Sequence, residues 1–118
     1  MSNKVSHIVT CEGKSITVSG SEFSFKYAIK KWIKCSGFVI VLLEHPMDPE
    51  DNENVYCISC DSKKIVRIKK TKGYDRSSVS SYVDIGCVDG VVVAWNWSGF
   101  RVSVDAFSGS ITSWHETK

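Results

Sequence analysis

The sequence predicts an all-β protein: two four-stranded antiparallel meander units, packed as a sandwich or a partly open barrel, with at most one short helix. Three observations predict it. Short runs of β-branched and aromatic residues alternate with turn signals along the whole chain. The run Phe38-Val39-Ile40-Val41-Leu42-Leu43 is apolar in both phases, as a strand covered on both faces must be. Two stretches, residues 23–70 and 82–116, then share one cadence of four strands.

Taken in order, "SHIVTC" and "SITVSG" form an N-terminal hairpin over residues 5–19, joined at Glu12-Gly13-Lys14. Residues 23–33 are ambiguous. Phe23, Phe25, Tyr27 and Ile29 alternate like a strand, whereas Phe25, Ala28, Ile29, Trp32 and Ile33 are spaced for one face of a helix. Strand is favoured, because the segment then opens the first four-strand unit. "NVYCISC" and "KIVRIK" pair through Asp61-Ser62-Lys63. "YVDIGCV" turns at Asp89-Gly90 into "VVVAW". "FRVSVD" alternates strictly, with Phe100, Val102 and Val104 on one face and Arg101, Ser103 and Asp105 on the other. Ser108-Gly109 leads into "SITSWH". The third strand of each unit ends at an aspartate (Asp61, Asp105) before its turn, in the manner of a β-propeller blade. Two blades cannot close a propeller, so two packed sheets are expected. No linker divides residues 1–118, which read as a single β domain.

In "AWNWSGF", Trp95 keeps phase with Val91 and Val93 and is expected to face the core. Asn96 is placed to hydrogen-bond the turn, and Gly99 to take positive φ. Trp97 sits at the rim, where capping the core and meeting a partner are equally open.

The chain of 118 residues is 42% apolar and 24% charged, with a formal net charge of +2. So small an excess gives no reason to invoke nucleic acid or an anionic membrane. The longest apolar run is far too short to span a bilayer as a helix. Five cysteines (Cys11, Cys35, Cys57, Cys60, Cys87), an odd count without a regular framework, and no signal-peptide core predict free thiols in a cytoplasmic protein. Cys57 and Cys60 have zinc or redox spacing, but residues three apart on a strand point to opposite faces. No metal and no cofactor is expected. His7, His45 and His115 are scattered, and no nucleophile, paired carboxylate or phosphate loop is arranged for catalysis. The chain reads as a non-enzyme with no catalytic residues.

Two charged stretches stand out. Glu44, Asp48, Glu50, Asp51 and Glu53 crowd one connection, suited to a basic protein partner; with Trp97 they form the candidate binding set. Lys63, Lys64, Arg67, Lys69, Lys70, Lys72 and Arg76 form a basic stretch. It either guards an edge strand or contacts phosphates, and the second option makes a nucleic-acid-binding β domain the alternative function.

Asn54-Val55-Tyr56, Asn96-Trp97-Ser98-Gly99-Phe100, Asp105 and Gly109 resemble a family of small bacterial β-proteins. The likeness covers about residues 27–118. The chain departs from the pattern with Ser110 where lysine is common and Arg67 where tryptophan is common. Such proteins are similar to immunity proteins of toxin–immunity systems, including contact-dependent growth inhibition. The resemblance implies a cytoplasmic protein that covers the active site of a cognate toxin. A homodimer, formed by a free sheet edge pairing with its twin, is a further expectation.

Overall fold

A computed structural model describes residues 8–44, 53–68, 81–96 and 99–116. Every regular element among them is a strand: β1 (Val9–Glu12), β2 (Ser15–Val18), β3 (Ser21–Ser24), β4 (Ile29–Cys35), β5 (Phe38–Leu43), β6 (Val55–Ser59), β7 (Ile65–Arg67), β8 (Tyr82–Val88), β9 (Val91–Asn96), β10 (Phe100–Asp105) and β11 (Ser110–Glu116). They form three antiparallel meanders: sheet A (β1-β2-β3), sheet B (β4-β5-β6-β7) and sheet C (β11-β10-β9-β8). No helix is long and apolar enough to cross a membrane.

The tight hairpins follow from local chemistry. Ser19-Gly20, Ser36-Gly37 and Asp89-Gly90 each hold positive φ at both residues (47° and 89°, 49° and 84°, 51° and 79°). That is the turn whose twist matches the flanking strands. Serine or aspartate followed by glycine supplies it at little steric cost.

Sheet B is the middle layer. Phe38, Ile40 and Leu42 of β5 face sheet C, where they meet Tyr82, Ile85, Val92, Ala94, Val102 and Val104. Val39, Val41 and Leu43 face sheet A and meet Ile16 and Val18. All six residues of β5 are buried, which accounts for a strand apolar in both phases. The N-terminal segment is therefore more than a hairpin. β3 extends it to a sheet whose inner face, with Phe23 and Phe25, closes a second core.

Residues 23–33 form strand, interrupted between Ser24 and Ile29. Phe25 N–H donates to Lys14 C=O (2.9 Å) and Ile29 N–H to Gly13 C=O (2.9 Å). Those bonds stitch the interruption to the β1–β2 turn and remove it from any helical ladder.

Sheets B and C meet along β4 and β8, and the two halves match in detail. The β4–β5 ladder slips between Ile29 and Lys31, and the β8–β9 ladder slips between Tyr82 and Asp84. Lys31 and Asp84 thus hold equivalent positions, and they form an ion pair at 2.7 Å. Lys31 Nζ also donates to Ile85 C=O (3.2 Å). The lysine hydrogen bond, chiefly, holds the Asp84 carboxyl below its ordinary range. Further along, Ser36 Oγ donates to Gly90 C=O (2.7 Å), so the two hairpin turns touch.

Two expectations are corrected here. Cys35 and Cys87 form a disulfide across the β4–β8 seam, with Cα atoms 5.7 Å apart, so the five thiols are not all free. An odd cysteine count argues against a framework, but it says nothing about one pair that the fold brings together. Trp95 does not face the inter-sheet core. Val92 and Ala94 do, and Trp95 is half-buried on the outer face of sheet C. Its ring lies over Gly86, where a Cβ would stand 3.2 Å from Cζ3. Glycine on β8 provides the shelf that lets this indole pack outside.

Other expectations hold. Phe100, Val102 and Val104 are buried while Arg101, Ser103 and Asp105 are not. Cys57 and Cys60 lie in different cores, on opposite faces of sheet B.

Candidate partner-binding site

The site is built around Asn54, which is 1% exposed. Its Nδ2 donates to Leu43 C=O (3.1 Å) and to Tyr82 C=O (2.9 Å), and its Oδ1 accepts Tyr82 N–H (2.8 Å). One amide thereby joins the end of β5, the start of β6 and the start of β8. Leu43 N–H donates to Asn54 C=O (3.0 Å), and Ile68 N–H to Val55 C=O (2.9 Å). Tyr82 lies opposite Asn96 in the β8–β9 ladder. Asn96 in turn accepts Phe100 N–H through Oδ1 (3.0 Å) and Gly99 N–H through its carbonyl (3.2 Å), as its place before a turn suggested.

Three connections of the chain start and finish at these anchors: residues 45–52 between Glu44 and Glu53, residues 69–80 between Ile68 and Ser81, and residues 97–98 between Asn96 and Gly99. They carry most of the residues that sequence singled out. Asp48, Glu50, Asp51, Trp97, Lys69, Lys70, Lys72 and Arg76 lie outside the described residues. Glu44 is exposed and Glu53 half-buried, side by side at the root of the acidic connection. Arg67 joins them. Its Nε donates to Glu53 C=O (2.8 Å), and its guanidinium stands 5.3 Å from the Tyr56 ring centroid. The acidic and basic stretches therefore meet here. Lys63 and Lys64 do not take part, because they sit in the β6–β7 turn at the other end of β6.

Sequence reasoning credited Asn54 only to a motif and did not single out Tyr82 or Ser81. The available signal was an asparagine between a charged loop and an apolar strand, where a buried amide can serve several backbone groups at once. The Ser81 hydroxyl is wholly buried and has no hydrogen-bond partner.

The arrangement fixes the points at which three connections leave and rejoin the sheets. Burial, helped by the charge of Asp105, pushes the Cys57 thiol up to about 12, which disfavours its thiolate. Among the described residues no three His, Cys, Asp or Glu side chains converge as metal ligands.

Residues 7–115 match the family described as a domain of unknown function, DUF7957. The chain belongs to the DUF7957 family. The match begins before β1, so the family's extent includes sheet A. No curated protein and no solved structure matches the chain.

Asn54→Ala is expected to lower stability by about 3 kcal/mol, because it leaves the buried Tyr82 N–H and two carbonyls unanswered. Urea unfolding followed by tryptophan fluorescence measures it. A loss below about 0.5 kcal/mol would show that the amide is not the tie between the sheets.

Proposed function

We propose that this protein acts by binding another protein, as the immunity partner of a bacterial toxin whose active site it covers. The observation that carries the reading is the Asn54 junction. It roots the acidic connection, the basic segment and the Trp97 turn on one fixed base, and loops carried on a rigid scaffold are a common way to build a recognition surface. The charges there are of both signs, which suits a complementary protein surface.

The nucleic-acid alternative is weakened by what Arg67 and the two lysines do. Arg67 is engaged with Glu53 and Tyr56, and Lys63 and Lys64 stand at the far end of β6. Among the described residues, Lys63, Lys64 and Arg67 therefore do not line up as one phosphate-facing strip. The reading also places the chain in the cytoplasm. The Cys35–Cys87 bond pulls the other way, since disulfides persist mainly in oxidising compartments. Alkylation of thiols in intact cells decides that point.

The test begins with the neighbouring gene: if it encodes a toxin, its toxic domain is the binding partner to assay. Reversing Asp48, Glu50 and Asp51 to lysine is expected to slow association about 10-fold or more, since charges at the edge of an interface act mainly on encounter. Folding should be unchanged within about 0.5 kcal/mol per residue. Reversal of Lys69, Lys70 and Lys72 is the matched control. Loss of protection by the lysine variant alone moves the contact to the basic segment. Loss by Trp97→Ala alone assigns it to the turn. A neighbouring gene for a metabolic enzyme, with no protection by the wild-type chain, would end the immunity reading.

A further inference from the structure

We propose that the Cys35–Cys87 bond is a thiol–disulfide exchange site, opened while the protein stays folded by a disulfide reductase whose dithiol attacks Cys87 Sγ. The proposal does not depend on the immunity reading.

The two half-cystines stand in unlike surroundings. Cys35 is 2% exposed and belongs to the core between sheets B and C. Cys87 is exposed, near the end of β8, which is an edge strand of sheet C. Val88, Asp89 and Gly90 after it are exposed as well. Exchange needs a thiolate to reach one sulfur and displace the other, so access decides which sulfur is attacked. An approach to Cys35 runs through the packed core, whereas an approach to Cys87 starts from solvent.

The step balances as a dithiol reaction. The first reductase thiolate bonds to Cys87 Sγ. The Sγ–Sγ bond breaks, and its electron pair goes to Cys35 Sγ, which takes up a proton. The second reductase thiol loses its proton and attacks the reductase sulfur joined to Cys87. The reductase closes its own disulfide, and Cys87 leaves as a thiolate and is protonated. Two electrons and two protons have passed to Cys35 and Cys87. A monothiol completes the sequence poorly, because Cys35 stays beside the mixed disulfide and closes the original bond before a second molecule arrives.

The chain's own thiols do not replace the reductase. Cys57 shares the core with Cys35, but burial pushes its thiol up to about 12. Cys60 belongs to the core facing sheet A, and burial raises its thiol too. Cys11 is exposed, but it lies in sheet A, on the other side of sheet B. The seam also has ties that outlast the bond. Lys31 pairs with Asp84 at 2.7 Å, Ser36 Oγ donates to Gly90 C=O at 2.7 Å, and Phe38, Ile40, Tyr82 and Ile85 stay packed between the sheets.

The probes are dithiothreitol and glutathione, each added anaerobically to the full-length oxidised protein, with acid quenching and mass mapping of every cysteine. Dithiothreitol is expected to reduce the bond at a rate unchanged by urea below the unfolding transition, because attack on the folded protein exposes little new surface. In the reduced, refiltered protein, Cys57 and Cys60 should react with iodoacetamide at least about 100-fold more slowly than Cys87, since they are reached only when the core opens. Glutathione should leave its adduct on Cys87 and reduce far less of the bond. Cys35→Ser should react natively through Cys11 and Cys87, and Cys87→Ser through Cys11 alone. Should either variant fail to fold, the wild-type measurements decide. A reduction rate that climbs with urea, together with labelling of Cys57 and Cys60, would overturn the proposal, because the bond would then open only by unfolding. So would an adduct on Cys35, equal reduction by the two reagents, or no reduction of the folded protein.

Discussion

A chain lacking residues 1–24 is expected not to accumulate as a folded, soluble monomer. Sheet A is the cover of the second core. Its removal bares Val39, Val41, Leu43 and Ile58, each at most 3% exposed in the intact fold. Full exposure of one such side chain costs about 1.5–3 kcal/mol. Four of them account for about 6–12 kcal/mol, which is comparable to the whole stability of a typical domain. Half-buried Trp32 and Tyr56 would lose cover as well. The exposed patch would lie on the middle sheet, where flat apolar strands invite association. Expression at low temperature, with the soluble fraction analysed by gel filtration and circular dichroism, checks this. A monomeric truncated chain with a cooperative transition near that of the intact protein would show that sheet A is an appendage.

Loss of the Cys35–Cys87 bond is expected to cost about 4 kcal/mol. The bond closes a loop with a sequence separation of 52, and chain-entropy reasoning gives about that value for a closure of this length. The bond spans the seam between sheets B and C, so it ties the two meanders together across their shared core. Cys35→Ser with Cys87→Ser should lower the urea midpoint without changing the strand signature. The thiols give an independent count. One reactive thiol is expected in the native protein, the exposed Cys11. Three are expected after unfolding, when Cys57 and Cys60 are uncovered. All five appear after reduction. A native protein that already titrates Cys35 and Cys87 would remove the bond from the description.

The parts of the fold that were legible are those where one residue pattern admits one environment. "FVIVLL" has no polar phase, so both its faces had to be covered. "FRVSVD" has one apolar phase, and that phase is inside. Trp95 was misplaced because "VVVA" offers apolar residues in both phases, and only the glycine on the neighbouring strand decides which face takes the indole. The third layer was missed because β2 gives just Ile16 and Val18 to the core, too few to look like more than a hairpin. The disulfide was illegible because pairing depends on a seam between units that only the packed structure defines. For the site, sequence marked the charged connections but not what gathers them. Asn54 acts through backbone groups of three strands, and a sequence carries no mark of which carbonyls will lie within reach of one amide.

The pairing of Lys31 with Asp84 has a consequence for how the halves choose each other. The two residues occupy the same position in their respective meanders and face one another across the seam. Had the units been identical, as in a two-fold dimer, that position would confront itself: ammonium with ammonium, or carboxylate with carboxylate. The pair is well exposed, so its contribution to stability is small, about 1 kcal/mol or less. Its effect on choice is larger, because each wrong pairing replaces an attraction with a repulsion. Either meander meeting a second copy of itself would trade that attraction for a like-charge contact, a bias of about 1 kcal/mol at so exposed a position. The seam thus works as a heterotypic recognition code inside a single chain, favouring union of unlike halves over exchange between molecules.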